Sequence, residues 1–206
     1  MTFWELLAER NQISIPAIQR DYVQGRQDLK TTHIREKFIE ALFDALQDPQ
    51  KKLDLHFVYG STDCALAQFA PIDGQQRLTM LFLLHWYLAV SCGRIGEPEV
   101  RKRLLNFQYA TRFTTAIFCR YLIESGEGIF AQLDHFAQEQ FSDKYTWFAQ
   151  FGADLSVRSM LVVLQTIYQY VKKKAFSRDD LEKMWHALTA NQKIYFNCLD
   201  IEKDLS

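Results

Sequence analysis

The chain has 206 residues, with 24 Lys and Arg against 25 Asp and Glu, and 48% of the residues are hydrophobic. This composition excludes a disordered chain and predicts one large folded domain or two small ones that share an interface. The formal net charge of −1 excludes a strongly basic protein that binds nucleic acid by charge alone. Eight glycines and four prolines favour a helix-rich fold.

The cysteine spacing and the lengths of the apolar runs indicate the cellular compartment. The four cysteines form no C-x-x-C pair, so their spacing fits neither a zinc site nor a disulfide framework. The longest apolar run, Leu78 to Val90, is shorter than the ~20 residues that span a bilayer. The N-terminus lacks the basic and apolar regions of a secretory signal. We therefore expect a cytoplasmic protein with no membrane-spanning segment.

The first part of the chain mixes helix and strand signals. The sequence predicts a helix over 2–10 that begins with a Thr2/Glu5 capping box, and then a brief strand over 13–15. An ordered polar loop over 16–30 and an amphipathic helix over 32–46 follow. Residues 53–59 and 65–72 are predicted to form an antiparallel hairpin around a turn at 60–63. Leu78 to Val90 is apolar nearly all round, which indicates a central buried helix, and Gly93 is a natural stop for it.

After Gly96 the pattern becomes predominantly helical. The predicted helices cover 97–105, 111–123, 127–140, 154–172 and 178–189, and a last strand covers 193–201. We therefore predict an α+β fold, in which a small mixed unit (residues 1–92) packs against a mainly helical unit with a terminal strand (residues 93–206). No Pro/Ser-rich linker separates the two units, which favours one compact body.

Charge is unevenly distributed along the helical part. Residues 94–120 carry six cations against two carboxylates, whereas residues 121–156 carry six carboxylates against one lysine. The positive stretch could meet the phosphates of DNA. The alternative is that these side chains pair with one another on solvated helix faces.

The stretch from Pro71 to Thr79 places a glycine, two amides and an arginine where a strand becomes a helix. Such a junction offers free backbone N–H groups and the positive end of the helix dipole, which together form an anion site. Gly74 would allow close approach of a ligand, and Arg77 could bind a phosphate with its planar guanidinium group. The alternative needs no ligand: Asp73 as N-cap and Gln76 at N3 form a variant of the capping box.

The loop after the first strand is rich in bulky polar side chains that a plain connector would not need. Arg20 could share a phosphate with Arg77, and Tyr22 is the aromatic residue that we select for stacking on a base. The alternative is that Asp21 pairs with Arg20 or Arg26 at the surface.

Two motifs together resemble a known family. Ile15-Pro16, followed by Gln19-Arg20-Asp21-Tyr22, and then Asp73-Gly74-Gln75-Gln76-Arg77-Leu78-Thr79 after a hairpin are similar to the GmrSD-type N-terminal domain of modification-dependent restriction and anti-phage systems. The resemblance implies a fold similar to ParB and sulfiredoxin. In those relatives a Gly-x-x-Arg at a helix start holds nucleotide phosphates, and Gly74 to Arg77 match it.

The resemblance therefore implies nucleoside-triphosphate binding by a sensor, or hydrolysis by an NTPase. Because a carboxylate at the cap would repel phosphate, we expect either a bridging Mg²⁺ ion or an Asp73 side chain turned toward a ribose hydroxyl. The expected catalytic residues are Asp73, Gln76 and Arg77, and the expected nucleotide-binding residues are Gln19, Arg20, Asp21, Tyr22, Gly74, Gln75, Arg77 and Thr79.

In this family DNA cutting is usually assigned to a separate C-terminal HNH-type domain, and the scattered histidines of this chain form no such motif. Expected partners are thus a nucleoside triphosphate, DNA and an HNH-type nuclease. A non-enzymatic DNA-binding or scaffolding subunit that recruits a nuclease is the alternative, and a folded but inert remnant is a third. Family members tend to continue beyond such a terminal strand, so a fragment or half of a split system also fits.

Overall fold

A computed structural model describes residues 1–16, 22–110, 113–134 and 146–201. The helices are α1 (Phe3–Glu9), α2 (Leu29–Gln47), α3 (Gln75–Ser91), α4 (Pro98–Leu105), α5 (Phe113–Ser125), α6 (Glu127–Gln132), α7 (Thr146–Phe151), α8 (Leu155–Lys174) and α9 (Arg178–Ala190). The strands are β1 (Gln12–Ile15), β2 (Leu53–Asp63), β3 (Gln68–Asp73), β4 (Phe107–Tyr109) and β5 (Ile194–Asp200). The predicted α+β fold class is confirmed.

Local capping signals set several helix boundaries. The predicted Thr2/Glu5 capping box at α1 is confirmed, and Ser177 with Asp180 forms a second one at α9. Helix α2 begins earlier than predicted because Asp28 is its N-cap, with the Asp28 Oδ1 accepting from the Thr31 N–H at 2.9 Å. Helix α3 ends where the sequence predicts, next to Gly93, whose φ is +72°.

In the described part of the chain one sheet has the strand order β4-β1-β3-β2-β5. Strand β1 is parallel to β3 and to β4, β2 is antiparallel to β3, and β5 is parallel to β2. The predicted terminal strand is therefore confirmed as β5, at one edge of the sheet. The other edge, β4, is a strand that the sequence did not predict, because three residues are too few to show alternation.

The hairpin of β2 and β3 is confirmed, but its turn lies further along the chain than predicted. Gly60, Ser61, Thr62 and Asp63 belong to β2, and the turn covers residues 64–67. A Cβ at Gly60 would lie 2.3 Å from the Ala70 carbonyl oxygen, so this glycine permits close strand pairing. Asp63 closes the actual turn, since its Oδ1 accepts from the N–H groups of Ala65 and Leu66.

Helix α3 is the centre of the core, as the sequence predicts. All of its residues from Leu78 to Ala89 are buried, and it packs against α8 and α9. The Trp86 indole N–H donates to the Leu122 carbonyl of α5 at 2.6 Å, which satisfies its polar atom inside the core. Within the described ranges, every helix falls short of the length and apolar character needed to cross a membrane.

His85 of α3 is fully enclosed by aromatic rings. Its ring stacks on Trp4 with centroids 5.5 Å apart, and Phe3 and Trp185 lie on other sides. Its Nδ1 lies 2.7 Å from the Leu81 carbonyl oxygen, and burial lowers the pKa of His85 from 6.5 to about 4. A charged imidazole is therefore disfavoured in the folded protein but not in the unfolded chain.

This difference predicts a loss of stability in mild acid. Because the folded pKa lies below the unfolded one, the contribution is complete above pH 6.5 and is lost as the pH falls toward 4. We expect the free energy of unfolding to drop by about 2 kcal/mol between pH 8 and pH 5, measured by urea denaturation. His85→Phe should remove most of this drop, whereas His33→Gln, at an exposed histidine, should keep it. An unchanged pH profile in His85→Phe would contradict the assignment.

Candidate anion site at the start of helix α3

The carboxyl ends of three parallel strands, β1, β3 and β4, meet at one edge of the sheet. Helix α3 begins directly after β3 at this edge, and the loop that carries the first motif leaves β1 there. Open sheets bind ligands outside the carboxyl ends of their parallel strands. The topology therefore brings the end of β1, where the first motif begins, and the second motif to the edge where a ligand is expected.

Gly74 is the N-cap of α3 and has a left-handed conformation, with φ +88°. A Cβ at this position would lie 2.7 Å from the Val58 Cγ2 of β2, so a larger residue would strain the backbone and clash. Gly74 has no side chain to cap the first N–H groups of the helix, which have no intrahelical acceptors. The capping box that we considered for Asp73 and Gln76 is therefore wrong: the cap is one residue later.

Asp73 binds Arg77 instead of the helix backbone. The Arg77 Nη2 donates to the Asp73 Oδ2 at 2.9 Å, and the Arg77 Nη1 donates to the Leu55 carbonyl oxygen of β2. The two side chains retain exposed fractions of 26% for Arg77 and 55% for Asp73, so the pair faces solvent at the helix start. An anion that binds here competes with the Asp73 carboxylate and the Leu55 carbonyl for the guanidinium group.

A bulge in β2 presents the carbonyl that Arg77 binds. Leu55 and His56 together stand opposite one residue of β5, and His56 has a left-handed φ of +64°. The Asp54 Oδ1 accepts from the His56 N–H at 2.7 Å and stabilises this local conformation. The sequence analysis missed the bulge, and the only local signal for it was an aspartate two residues before a histidine.

The other polar side chains of the second motif form hydrogen bonds within the protein. The Gln75 side chain is buried and donates to the Pro71 carbonyl at 2.6 Å. Thr79 is fully buried; its hydroxyl donates to the Gln75 carbonyl and lies 2.8 Å from the Tyr109 hydroxyl. The Gln76 Oε1 accepts from the Val23 N–H at 3.1 Å. In this conformation the hydrogen bonds of Gln75 and Thr79 stabilise the first turn of α3 on its buried side. The hydrogen bond of Gln76 connects that turn to the loop after β1.

The first motif is described only at its end. Gln19, Arg20 and Asp21 lie outside the described residues. Tyr22 is buried, with an exposed fraction of 1%, its hydroxyl donates to the Gln24 side chain at 3.1 Å, and burial raises the pKa of that hydroxyl well above its ordinary value. Its ring faces the core, which differs from the predicted stacking on a base.

The loop that follows Tyr22 is held from several sides. The Ser156 hydroxyl of α8 accepts from the Tyr22 N–H at 3.2 Å, and the buried Arg35 of α2 donates to the carbonyls of Gln24 and Arg26 at 2.8 and 3.0 Å. Gly25 packs directly on the α8 backbone at Ser159. Sequence reasoning missed Arg35 because nothing local distinguishes it from an exposed helical arginine.

Two of the six cations in the positive stretch 94–120 pair with carboxylates in the described part of the fold. Arg94 pairs with Glu182 at 2.8 Å and with Glu97 at 3.2 Å, Arg120 pairs with Glu124 at 2.8 Å, and Arg103 lies over the Trp4 ring. The alternative explanation, pairing between side chains, therefore accounts for part of this charge. Arg112 lies outside the described residues.

Fold and site together define an α+β protein with a candidate anion site at the carboxyl edge of a mixed sheet. The family model described as "GmrSD restriction endonuclease, N-terminal domain" matches residues 3–205, and the chain belongs to this family. Membership implies a role in a restriction or phage-defence system. The comparisons with curated proteins and with solved structures gave no match.

Proposed function

We propose that this chain is the nucleoside-triphosphate-binding module of a DNA restriction system and that the phosphates bind at the start of α3. The observation that carries the proposal is the arrangement of Gly74 and Arg77: the N-cap has no side chain, and the guanidinium group of the first turn binds Asp73, the residue before the cap. Backbone N–H groups, the helix dipole and a planar guanidinium group favour the same ligand, a phosphate. The ParB-like site implied by the resemblance has the same Gly-x-x-Arg pattern.

Asp73 explains why Mg²⁺ belongs to the proposal. A carboxylate 2.9 Å from Arg77 repels a triphosphate and competes for the guanidinium group. Mg²⁺ in proteins is commonly held by one or two carboxylates together with substrate phosphates. The exposed Asp73 fits that role, and the ion would neutralise charge between carboxylate and phosphate. Arg20, from the loop after β1, is proposed as a second cation for the phosphates.

Hydrolysis would use the same groups. Water attacks the terminal phosphorus, the bond from that phosphorus to its bridging oxygen breaks, and a nucleoside diphosphate and inorganic phosphate leave. Positioning and electrostatic stabilisation are the main contributions that a protein makes to this reaction. In this chain Arg77 would stabilise the developing charge, and Gln76, which binds Val23, would hold the loop after β1 against the site.

Thermal unfolding with ATP, GTP, CTP or UTP, with and without Mg²⁺, tests the proposal. A nucleotide at about 100 times its dissociation constant should add ~2.7 kcal/mol to the free energy of unfolding and raise Tm by about 5–10 °C. Arg77→Ala should weaken nucleotide binding about 10- to 100-fold, because it removes a charge-assisted contact. Phosphate release is then measured for the nucleotide that binds.

Arg120→Ala is the matched control, because Arg120 is also a helical arginine paired with the carboxylate four residues away. It should bind nucleotide like the wild type. The proposal fails if no nucleotide shifts Tm, or if a folded Arg77→Ala protein binds as tightly as the parent. Salt-dependent DNA binding without nucleotide would support the scaffolding alternative.

A further inference from the structure

Three large apolar side chains are exposed on one face of the sheet. Phe57 and Tyr59 of β2 have exposed fractions of 52% and 38%, and Leu199 of β5 has 42%. Tyr59 is the register partner of Leu199, and Phe57 is the partner of Asn197, so these side chains point to the same side of the parallel pair. Exposed apolar side chains that share one face of a sheet are candidates for a binding surface.

This aromatic face adjoins the proposed phosphate site. Tyr59 is the register partner of Asp73 across β2 and β3, at the position where the register of this antiparallel pair shifts. The Asp73 carboxylate in turn lies 2.9 Å from the Arg77 guanidinium group. An exposed aromatic residue is therefore the strand neighbour of the carboxylate that binds Arg77.

The two neighbouring features match the two halves of a nucleotide. Tyr22 is buried, so of the two tyrosines Tyr59 is the one exposed to solvent. Base stacking on an exposed aromatic ring tolerates any base, because every base has a flat π-face. We infer that Tyr59, with Phe57 beside it, binds the base of the nucleotide whose phosphates bind at α3. The inference rests on the proposed function and adds the nucleoside half of its site.

The test compares a ligand that has a base with one that lacks it. Affinities for ATP and for inorganic tripolyphosphate, both with Mg²⁺, are measured by calorimetry for the wild type, Tyr59→Leu, Tyr59→Phe and Arg77→Ala. We expect Tyr59→Leu to weaken ATP about 5- to 100-fold and to leave tripolyphosphate within about twofold. Tyr59→Phe retains the ring and should bind both ligands like the wild type. Arg77→Ala should weaken both ligands.

Each outcome separates the inference from the proposed function. If Arg77→Ala weakens both ligands while Tyr59→Leu changes ATP no more than tripolyphosphate, the base site is overturned and the phosphate site stands; a protein partner would then be the occupant of the aromatic face. If the wild type binds neither ligand, the proposed function and the base site both fail. Unfolding curves of the Tyr59 variants exclude a loss of fold, since this side chain is partly exposed and Leu and Phe both suit a strand.

Discussion

Gly25→Ala should lower the free energy of unfolding by about 3 kcal/mol, at the upper end of what an overpacked core position costs. A Cβ at Gly25 would lie 2.2 Å from both the Cα and the carbonyl oxygen of Ser159. Because these are backbone atoms of α8, they cannot rotate away, and the loop must move off the helix. The loss is measured by urea denaturation.

The position of the clash makes the prediction specific. Trimming the side chain with Ser159→Gly should not rescue Gly25→Ala, because the contacts are with the backbone. Gly128→Ala is the matched control: a Cβ there meets nothing within 4 Å, so its effect should be small or stabilising. Since the loop binds Gln76 through Val23, Gly25→Ala should also weaken nucleotide binding. Wild-type stability in Gly25→Ala would show that the loop does not pack on α8.

Lys193→Met should also destabilise the fold by about 3 kcal/mol, because it removes three hydrogen bonds that a charged group donates. Lys193 has an exposed fraction of 9%, and its ammonium group donates to the carbonyls of Asp48, Pro49 and Lys51 at 2.9, 2.5 and 3.0 Å. These carbonyls follow the C-terminus of α2, where the helix dipole also favours a cation.

Methionine retains the length and apolar character of the lysine stem, so the variant tests the ammonium group and not the packing. Lys52→Met, at an exposed lysine of the same region, is the control and should change stability by less than about 0.5 kcal/mol. The free energy of unfolding of both variants is measured by chemical denaturation. Equal, small effects would mean that solvent replaces the ammonium group at these carbonyls.

The sequence predicted most of the helices because their signals are local. The capping pairs Thr2/Glu5 and Ser177/Asp180 act within four residues, and the run from Leu78 to Val90 is apolar on all sides. Each of these features depends on near neighbours, so a single sequence is enough to interpret it. The same holds for the junction at Gly74, where the glycine marked the start of α3 to within a residue.

The errors arose where distant residues decide the structure. Gly60 resembles a turn residue, but it lies in β2 because the Ala70 carbonyl packs against its Cα. Strand β4 is short and exists through its pairing with β1, more than 90 positions away. Tyr22 resembles an exposed loop aromatic, but its ring is buried and its backbone N–H donates to Ser156 of α8. The candidate anion site depends equally on distant contacts, since the Leu55 carbonyl that binds Arg77 comes from a bulge with no clear sequence signal.

The place of β5 has a consequence for how the nascent chain folds on the ribosome. The strand pairs along β2, and its Phe196 exchanges two backbone hydrogen bonds with Met1, at 2.8 and 2.9 Å. Strand β2 and Met1 are synthesised early, and the edge of β2 stays unpaired until residues 194–200 have been synthesised. An unpaired strand edge invites association with other chains. The sheet can therefore be completed only after residues 194–200 have left the ribosome, and chaperones that shield β2 until then should raise the yield of folded protein.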